Sequence, residues 1–262
     1  MTALARKYAA FARIAIAQAR RERAEVYGRA AFFVVILGVF SSLWRAVADA
    51  GLPIAAEPRS LVWYLAATEW IVLSAPPIHL EIQEAIRRGD VVYQLGRPAS
   101  YVIAELAAAL GLLAVRAPLL GLTAFVCAYA FTGWIPPACA LAIVVPFGLA
   151  GAALLTALFL WTGLLAFWLQ DVSPIYWVGQ KLMFILGGLM LPLQFYPEIV
   201  RRVAALTPFP AILGGPASFL LNDGLIAPGA LAGRLAIWSV VTAVGVAWVF
   251  RRARAALTVN GG

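Results

Sequence analysis

The sequence predicts an all-α integral membrane protein with six transmembrane helices. Hydrophobic residues make up 63% of its 262 residues, charged residues make up 12%, and the mean hydropathy is +0.90. Apolar stretches of about 20 residues recur along the chain, and this length crosses a hydrocarbon core about 30 Å thick. The stretches are continuously apolar and do not alternate with polar residues, so a closed barrel is excluded.

The predicted spans are residues 30–49, 60–78, 101–131, 138–169, 178–196 and 230–250. The third and fourth spans are longer than a straight crossing requires, which predicts tilt, a kink or extension beyond the bilayer. These spans predict a single six-helix transmembrane domain at residues 30–262, preceded by a cytoplasmic amphipathic segment at residues 1–29.

The amino-terminal segment, residues 4–27, is predicted to form an amphipathic helix at the membrane surface. Its apolar side chains recur at spacings of three and four: Leu4, Tyr8, Phe11, Ile14 and Ala15. Arginines occupy the other positions and would extend towards lipid phosphates. A solvated cytoplasmic tail is the alternative. The first 29 residues lack the apolar core that a cleavable signal peptide needs.

Lysine and arginine are distributed asymmetrically between the two sides of the predicted membrane. The cytoplasmic segments hold fourteen of these residues, whereas the outer segments hold only Arg59, Arg201, Arg202 and Arg234. This positive-inside bias predicts that both termini are cytoplasmic. The net charge of +8 is therefore explained by topology and by attraction to anionic lipid, and no nucleic-acid partner is expected.

Few residues of the chain are suited to catalysis or to metal binding. His79 is the only histidine, which excludes a histidine-rich metal site, and we predict that its ring lies at the interface with a solvated edge. Lysine occurs only at positions 7 and 181, and neither lies in a phosphate-binding G-x-x-x-x-G-K-[ST] loop. No bound cofactor or metal is expected. Cys127 and Cys139 flank an outer turn, either as a disulfide or as free thiols.

Two charged residues lie deep within predicted spans, Glu69 near the middle of the second and Arg116 well inside the third. Charges within hydrocarbon are energetically costly, and they usually mark a functional site. The two positions are predicted to reach the same depth, where they would form an ion pair. Such a pair either lines a water-filled path or only stabilises the bundle.

A polar island, residues 79–101, separates the second and third spans. Its first part, HLEIQEAIRRG, is predicted to form a short surface helix that ends at Gly89, and an extended segment follows to Pro98. Charges of both signs on such a helix suit docking to a soluble partner. A solvated loop is the alternative. The residues predicted to couple to the partner are Glu81, Glu84, Arg87, Arg88, Gly89 and Asp90.

The connection between the fifth and sixth predicted spans is too apolar for a free loop, yet its prolines and its Gly214–Gly215 pair interrupt any simple span. Two alternatives remain open. One is a re-entrant or interfacial helical hairpin at the outer mouth, and the other is a folded external loop packed on the bundle.

Three stretches, residues 81–101, 163–198 and 206–221, resemble permease subunits of the ABC type-2 exporters, the bacterial six-span ABC-2 family transporter proteins. The resemblance implies that residues 4–27 form a connecting helix and residues 81–90 a coupling helix. It also implies a short extracellular re-entrant element at residues 197–221. The implied partners are ABC ATPase subunits, which bind ATP and Mg, and a second six-span permease, either a copy or a sister chain. The implied location is the bacterial inner membrane, from which an undetermined, amphipathic or hydrophobic substrate would be exported.

An ion- or proton-coupled secondary transporter that uses Glu69 and Arg116 is the main alternative. No internal repeat is visible in the sequence, which counts against that class. An intramembrane enzyme is disfavoured because the sequence offers no nucleophile and base in a recognisable motif.

Overall fold

The computed structural model describes residues 3–19, 23–51, 57–95, 100–169, 171–221 and 227–260, and these residues form helices and connections without a strand. The helices are α1 (Ala3–Ala19), α2 (Arg23–Asp49), α3 (Pro58–Ser74), α4 (Ile78–Arg87), α5 (Asp90–Leu95), α6 (Tyr101–Thr132), α7 (Ala138–Leu164), α8 (Ser173–Leu186), α9 (Glu198–Ala205), α10 (Phe209–Ile212), α11 (Gly214–Ser218) and α12 (Pro228–Asn260). The all-α class predicted from the sequence is confirmed.

Five stretches of the described chain are long and apolar enough to cross a membrane: Tyr27–Asp49, Pro58–Arg87, Tyr101–Thr132, Ala138–Phe167 and Pro228–Ala255. They correspond to five of the six predicted spans. The predicted span 178–196 differs, because α8 has only 14 residues and ends at Leu186, a length of about 21 Å. The helix ends at Gly187 and Gly188, and Gly188 adopts φ +68°, a conformation that favours glycine.

The helix α3 lies at the centre of the bundle, and every residue from position 60 to position 71 is buried. It packs against α2, α6, α7 and α11. Its indole and hydroxyl groups donate hydrogen bonds to main-chain carbonyls of other segments. Trp63 bonds to Trp134 O at 3.0 Å, and Thr68 bonds to Leu189 O at 2.6 Å. An apolar helix is stable at the centre of a bundle when the polar groups of its side chains are hydrogen-bonded in this way.

The described residues of the amino-terminal segment lie in two helices, α1 and α2. The first, α1, ends at Ala19, and α2 begins at Arg23 and continues into the first candidate span. Positions 20–22 of the predicted helix lie outside the described residues, so its continuity over residues 4–27 stays a prediction. The helix α1 packs against α6, where the Ser100 N–H donates to the Tyr8 hydroxyl at 3.1 Å. The location of α1 at the membrane surface stays a prediction.

The segment from residue 187 to residue 221, here called the inserted segment, folds back into the bundle. A hydrogen bond connects the start of this segment to its later part, because the Gly214 N–H donates to Gly187 O at 3.0 Å. The short helices α10 and α11 are buried and pack against α7. At Gly151, midway along α7, a Cβ atom would lie only 2.5 Å from Ile212 O. The later part of the inserted segment, α10 and α11, therefore occupies the interior of the bundle, whereas its α9 exposes Ile199 and Val203.

Replacing Gly151 with alanine should loosen the inserted segment, because the new methyl group meets a main-chain oxygen that cannot move alone. We expect a loss of about 1–3 kcal/mol in stability. Gly233→Ala in α12 is the matched control, since a Cβ there meets nothing within 4 Å, and it should leave stability unchanged or raise it slightly.

Both cysteines are free thiols, Cys127 buried and Cys139 exposed. In a Cys139→Ser background, the labelling of Cys127 during heating therefore reports unfolding in detergent. Equal melting temperatures for Gly151→Ala and Gly233→Ala would show that the inserted segment does not need this close approach.

Candidate functional site

The helix α4 has one buried face and one exposed face. Ile78 and Ile82, one turn apart, are 2% and 1% exposed, and His79 and Gln83 are buried beside them. The exposed face carries Leu80, Glu81, Glu84, Arg87 and Arg88. The sequence-predicted docking residues therefore lie together on one surface that the bundle leaves open.

The charged face of α4 is held in a regular helix. Arg88 Nε donates to Glu84 Oε1 at 2.7 Å, one turn apart on the surface, and exposed pairs of this kind contribute about 0.3–0.5 kcal/mol. Gly89 follows the helix with φ +77°, so the predicted termination at this glycine is confirmed.

The segment after Gly89 is not extended as predicted. Residues Asp90–Leu95 form the short helix α5, in which Val91 is buried and Asp90 occupies the first turn. An acidic residue in that position interacts favourably with the amide groups at a helix start. Positions 96–99, which include Arg97 and Pro98, lie outside the described residues.

The buried face of α4 lies directly against the end of α7. At Gly163 a Cβ atom would lie 2.9 Å from His79 Cα and 3.0 Å from Ile82 Cβ. Only glycine permits this separation between the two helices. Movement of α4 towards or away from the bundle must therefore involve the carboxyl end of α7.

A hydrogen bond ties α4 to the connection between α7 and α8. The Val172 N–H, fully buried, donates to Gln83 Oε1 at 2.7 Å. The next residues order the start of α8, because Asp171 Oδ1 accepts from the hydroxyl and the N–H of Ser173 at 2.7 and 2.9 Å. These two bonds hold the pKa of the Asp171 carboxyl below its usual range, and the positive charge of Arg87 adds to the effect.

His79 is buried, and the prediction of a solvated edge for this residue is wrong. Its ring is 1% exposed and stacks on Tyr176 of α8, with centroids 3.8 Å apart and planes 17° apart. Phe159 of α7 lies 5.4 Å from the same ring. The sequence placed His79 at the end of a span, where it would meet water, but α7 and α8 cover that position. The three rings join α4 to both helices.

Glu69 and Arg116, the two charges predicted inside the bundle, are 4% and 6% exposed. Their neighbours meet, since Trp70 Nε1 donates to Ala117 O at 2.8 Å. This bond places the two charged positions at the same level of adjacent helices, as their positions within the second and third predicted spans indicate. The ion pair between them stays a prediction.

Sequence reasoning missed the residues that fix α4 to the bundle. Gly163 is one of 22 glycines, and nothing in its local sequence distinguishes it. Gln83 is a polar residue on a helix with many polar residues, and Tyr176 lies about 90 positions away along the chain. Within the described part of the chain, no group of three or more histidine, cysteine, aspartate or glutamate side chains is arranged to hold a metal ion.

Replacing Gln83 with leucine should leave the buried Val172 N–H without an acceptor, at a cost of about 1–3 kcal/mol. We expect faster hydrogen exchange in the peptide that covers residues 171–176, together with a lower melting temperature. Gln180→Leu is the matched control, because Gln180 donates to a side-chain hydroxyl, that of the half-buried Tyr176, and not to a buried main-chain group. Unchanged exchange in Gln83→Leu would show that this hydrogen bond does not hold the α7–α8 connection.

The family model described as "ABC-2 family transporter protein" matches residues 64–261, about three quarters of the chain. The match begins within α3 and includes all of α4 through α12, and therefore every residue of the site described above. No curated protein matches the chain. The chain thus belongs to the ABC-2 family transporter proteins, and it is the multi-pass membrane component of an ABC-2 type transporter, a transport subunit rather than a catalytic one.

Proposed function

We propose that this chain is the permease of an exporter in which a separate ABC ATPase hydrolyses ATP with Mg and thereby moves an amphipathic or hydrophobic substrate out of the cytoplasm. ABC-2 permeases generally pair with ABC ATPase subunits. The single observation that carries the proposal is the two-faced helix α4, whose apolar side is buried in the bundle while its charged side is open.

The exposed side of α4 suits a protein partner better than lipid. It presents carboxylates and guanidinium groups together, and complementary charges of both signs fix the register of docking more than they raise affinity. The proposed coupling residues are Glu81, Glu84, Arg87, Arg88, Gly89 and Asp90. Gly89 would act by ending the helix, and the charged residues would contact the ATPase.

A force applied to α4 has a packed route into the bundle. Gly163 connects α4 to α7, and the Gln83–Val172 hydrogen bond connects it to the start of α8. At the far end of α8, Gly187 bonds to Gly214 of the inserted segment. Closely packed elements transmit displacement because their contacts cannot be compressed. In the proposed cycle, closure of the ATPase moves α4, and α8 carries the displacement to the inserted segment.

We also propose that the chain crosses the bacterial inner membrane six times with both termini in the cytoplasm. In this topology α8 and residues 187–196 together make the fifth crossing. Stacking of Tyr101 on Phe250 brings the end of α12 beside the start of α6. This arrangement places Arg251 and Arg252 at the same end of the bundle as α4, consistent with a positive cytoplasmic side.

In this topology residues 197–221 of the inserted segment are re-entrant from the outer side. The approach of Ile212 to the middle of α7 favours this alternative over an external loop, because irregular backbone at membrane depth requires surrounding protein. In the same proposal α1 is the connecting helix, and a second permease, a copy or a sister chain, completes the pathway.

Charge reversal on α4 tests the coupling proposal. The double variant Arg87→Glu, Arg88→Glu should reduce recovery of the ATPase by roughly tenfold or more in a mild-detergent pull-down of the tagged chain, because it places like charges across a complementary surface. The amount of the chain in the membrane fraction should not change, since both side chains are exposed.

The double variant Arg201→Glu, Arg202→Glu is the matched control. It makes the same change in charge on α9, where both side chains are also exposed, and should leave ATPase recovery unaltered. Full recovery of the ATPase with the α4 variant would exclude docking through Arg87 and Arg88.

The second candidate is an ion- or proton-coupled transporter, and burial of Glu69 and Arg116 at one level favours it. If the two form a functional pair, Glu69→Arg and Arg116→Glu should each abolish transport, and the double swap should restore it. The measurement is gradient-driven uptake in proteoliposomes that contain this chain alone. Normal transport by both single variants would eliminate the pair.

A further inference from the structure

A cavity of about 510 Å³ lies between the end of α7 and the second half of α12. Its walls are Leu165, Trp168, Trp248, Val249 and Arg252. None of these residues belongs to the α4 site or to the pair of intramembrane charges. The volume is within the range of cavities that bind small molecules, about 300–1,000 Å³.

The cavity arises because two parallel neighbours end at different points. At Gly245 of α12 a Cβ atom would lie 2.6 Å from the Trp161 ring of α7, so the helices are in closest contact there. One turn further, α7 ends and the chain passes through the 3-10 turn Leu165–Phe167. The helix α12 continues to Asn260. The cavity lies at this level, between the turn that follows α7 and the Trp248, Val249 and Arg252 side chains of α12.

The walls combine an apolar floor with a charged rim. Val249 is 4% exposed and forms part of the floor, whereas the two indoles are about half exposed, at 49% for Trp168 and 52% for Trp248. The Arg252 guanidinium lies over the Trp248 ring, 5.3 Å from its centroid. Tryptophan is enriched where hydrocarbon meets water, since its ring is apolar and its N–H is polar.

We propose that this cavity binds an anionic phospholipid of the surrounding membrane. The acyl chain would lie on Leu165 and Val249 between the two indoles, and the phosphate would contact the Arg252 guanidinium. Lipid fits better than a soluble ligand. The apolar walls would face the acyl chain of a phospholipid, and the charged rim would face its headgroup. Basic pockets between membrane helices on the cytoplasmic side bind anionic headgroups in this way.

The proposed site does not depend on the ATPase or on transport. In the topology proposed above it faces the inner leaflet, where Arg251 and Arg252 also meet the anionic surface of the membrane. The two arginines differ in one respect, since Arg252 lines the cavity and Arg251 does not.

Retention of lipid by the full chain in detergent, measured by native mass spectrometry, tests the proposal. Phosphatidylglycerol and phosphatidylcholine with the same acyl chains are added in parallel, and wild type should retain phosphatidylglycerol preferentially. Arg252→Gln should lower retention of phosphatidylglycerol about fivefold, the effect of one positive charge near anionic lipid. Arg251→Gln removes the same charge at the neighbouring position and should retain phosphatidylglycerol as wild type does.

Further variants separate the apolar contact from the charge. Trp168→Ala should lower retention of both lipids, because it removes an indole wall, and Arg252→Lys should keep the preference for phosphatidylglycerol. Cys127 labelling during heating, in the Cys139→Ser background, confirms that each variant is folded.

Three results would overturn the proposal. Equal losses in Arg251→Gln and Arg252→Gln would show that surface charge acts without a site. Equal retention of the two lipids by wild type would remove the anionic preference. Displacement of phosphatidylglycerol by millimolar inorganic phosphate would identify a free anion, and not a lipid, as the ligand.

Discussion

The helices of this protein pack within hydrocarbon, where apolar side chains gain little by leaving lipid for one another, so hydrogen bonds and close backbone contacts must hold the bundle together. The central helix α3 supplies the most connected set of such bonds. Tyr64 bonds to Gly188 O, Thr68 to Leu189 O and Trp70 to Ala117 O. Through these bonds one helix fixes both α6 and the start of the inserted segment. A change that displaced α3 would therefore displace both α6 and the start of the inserted segment.

Close backbone contacts at three glycines hold the other helices of the bundle together. Gly151 admits the main chain of the inserted segment, Gly163 admits the backbone of α4, and Gly245 admits the Trp161 ring. All three contacts lie on α7 or involve a residue of α7. This helix therefore touches the buried side of α4, the inserted segment and α12 within its 27 residues. It is consequently well placed to relate events at α4 to the opposite end of the molecule.

The exposed and buried sides of α4 have separate physical roles. The exposed charges can be altered without disturbing the fold, because each is solvated or paired at the surface. The buried side is different, since His79 and Gln83 contact α8 through a stacked ring and a hydrogen bond. A helix that is free on one side and fixed on the other transmits a push, whereas a solvated loop would absorb it.

Much of the architecture follows directly from the sequence. Hydropathy located five of the candidate spans, and the pattern HLEIQEAIRRG predicted the short helix α4 and its end at Gly89. The level shared by Glu69 and Arg116 also followed from counting residues along two spans. These features depend on the chain's own periodicity and on its depth in the membrane, both of which a single sequence records.

Other features required the tertiary structure, because hydropathy reports how deep a residue lies and not which segment lies beside it. His79 was expected to meet water at the end of a span, yet Tyr176 and Phe159 cover it. The helix α8 stops at Leu186 where composition predicts that it continues, because Gly188 turns the chain and Gly187 meets the inserted segment. The cavity at Arg252 exists only because α7 ends before α12 does. The sequence by itself determined the all-α class, five apolar spans and the short charged helix α4, and the packing of segments distant in the chain decided the rest.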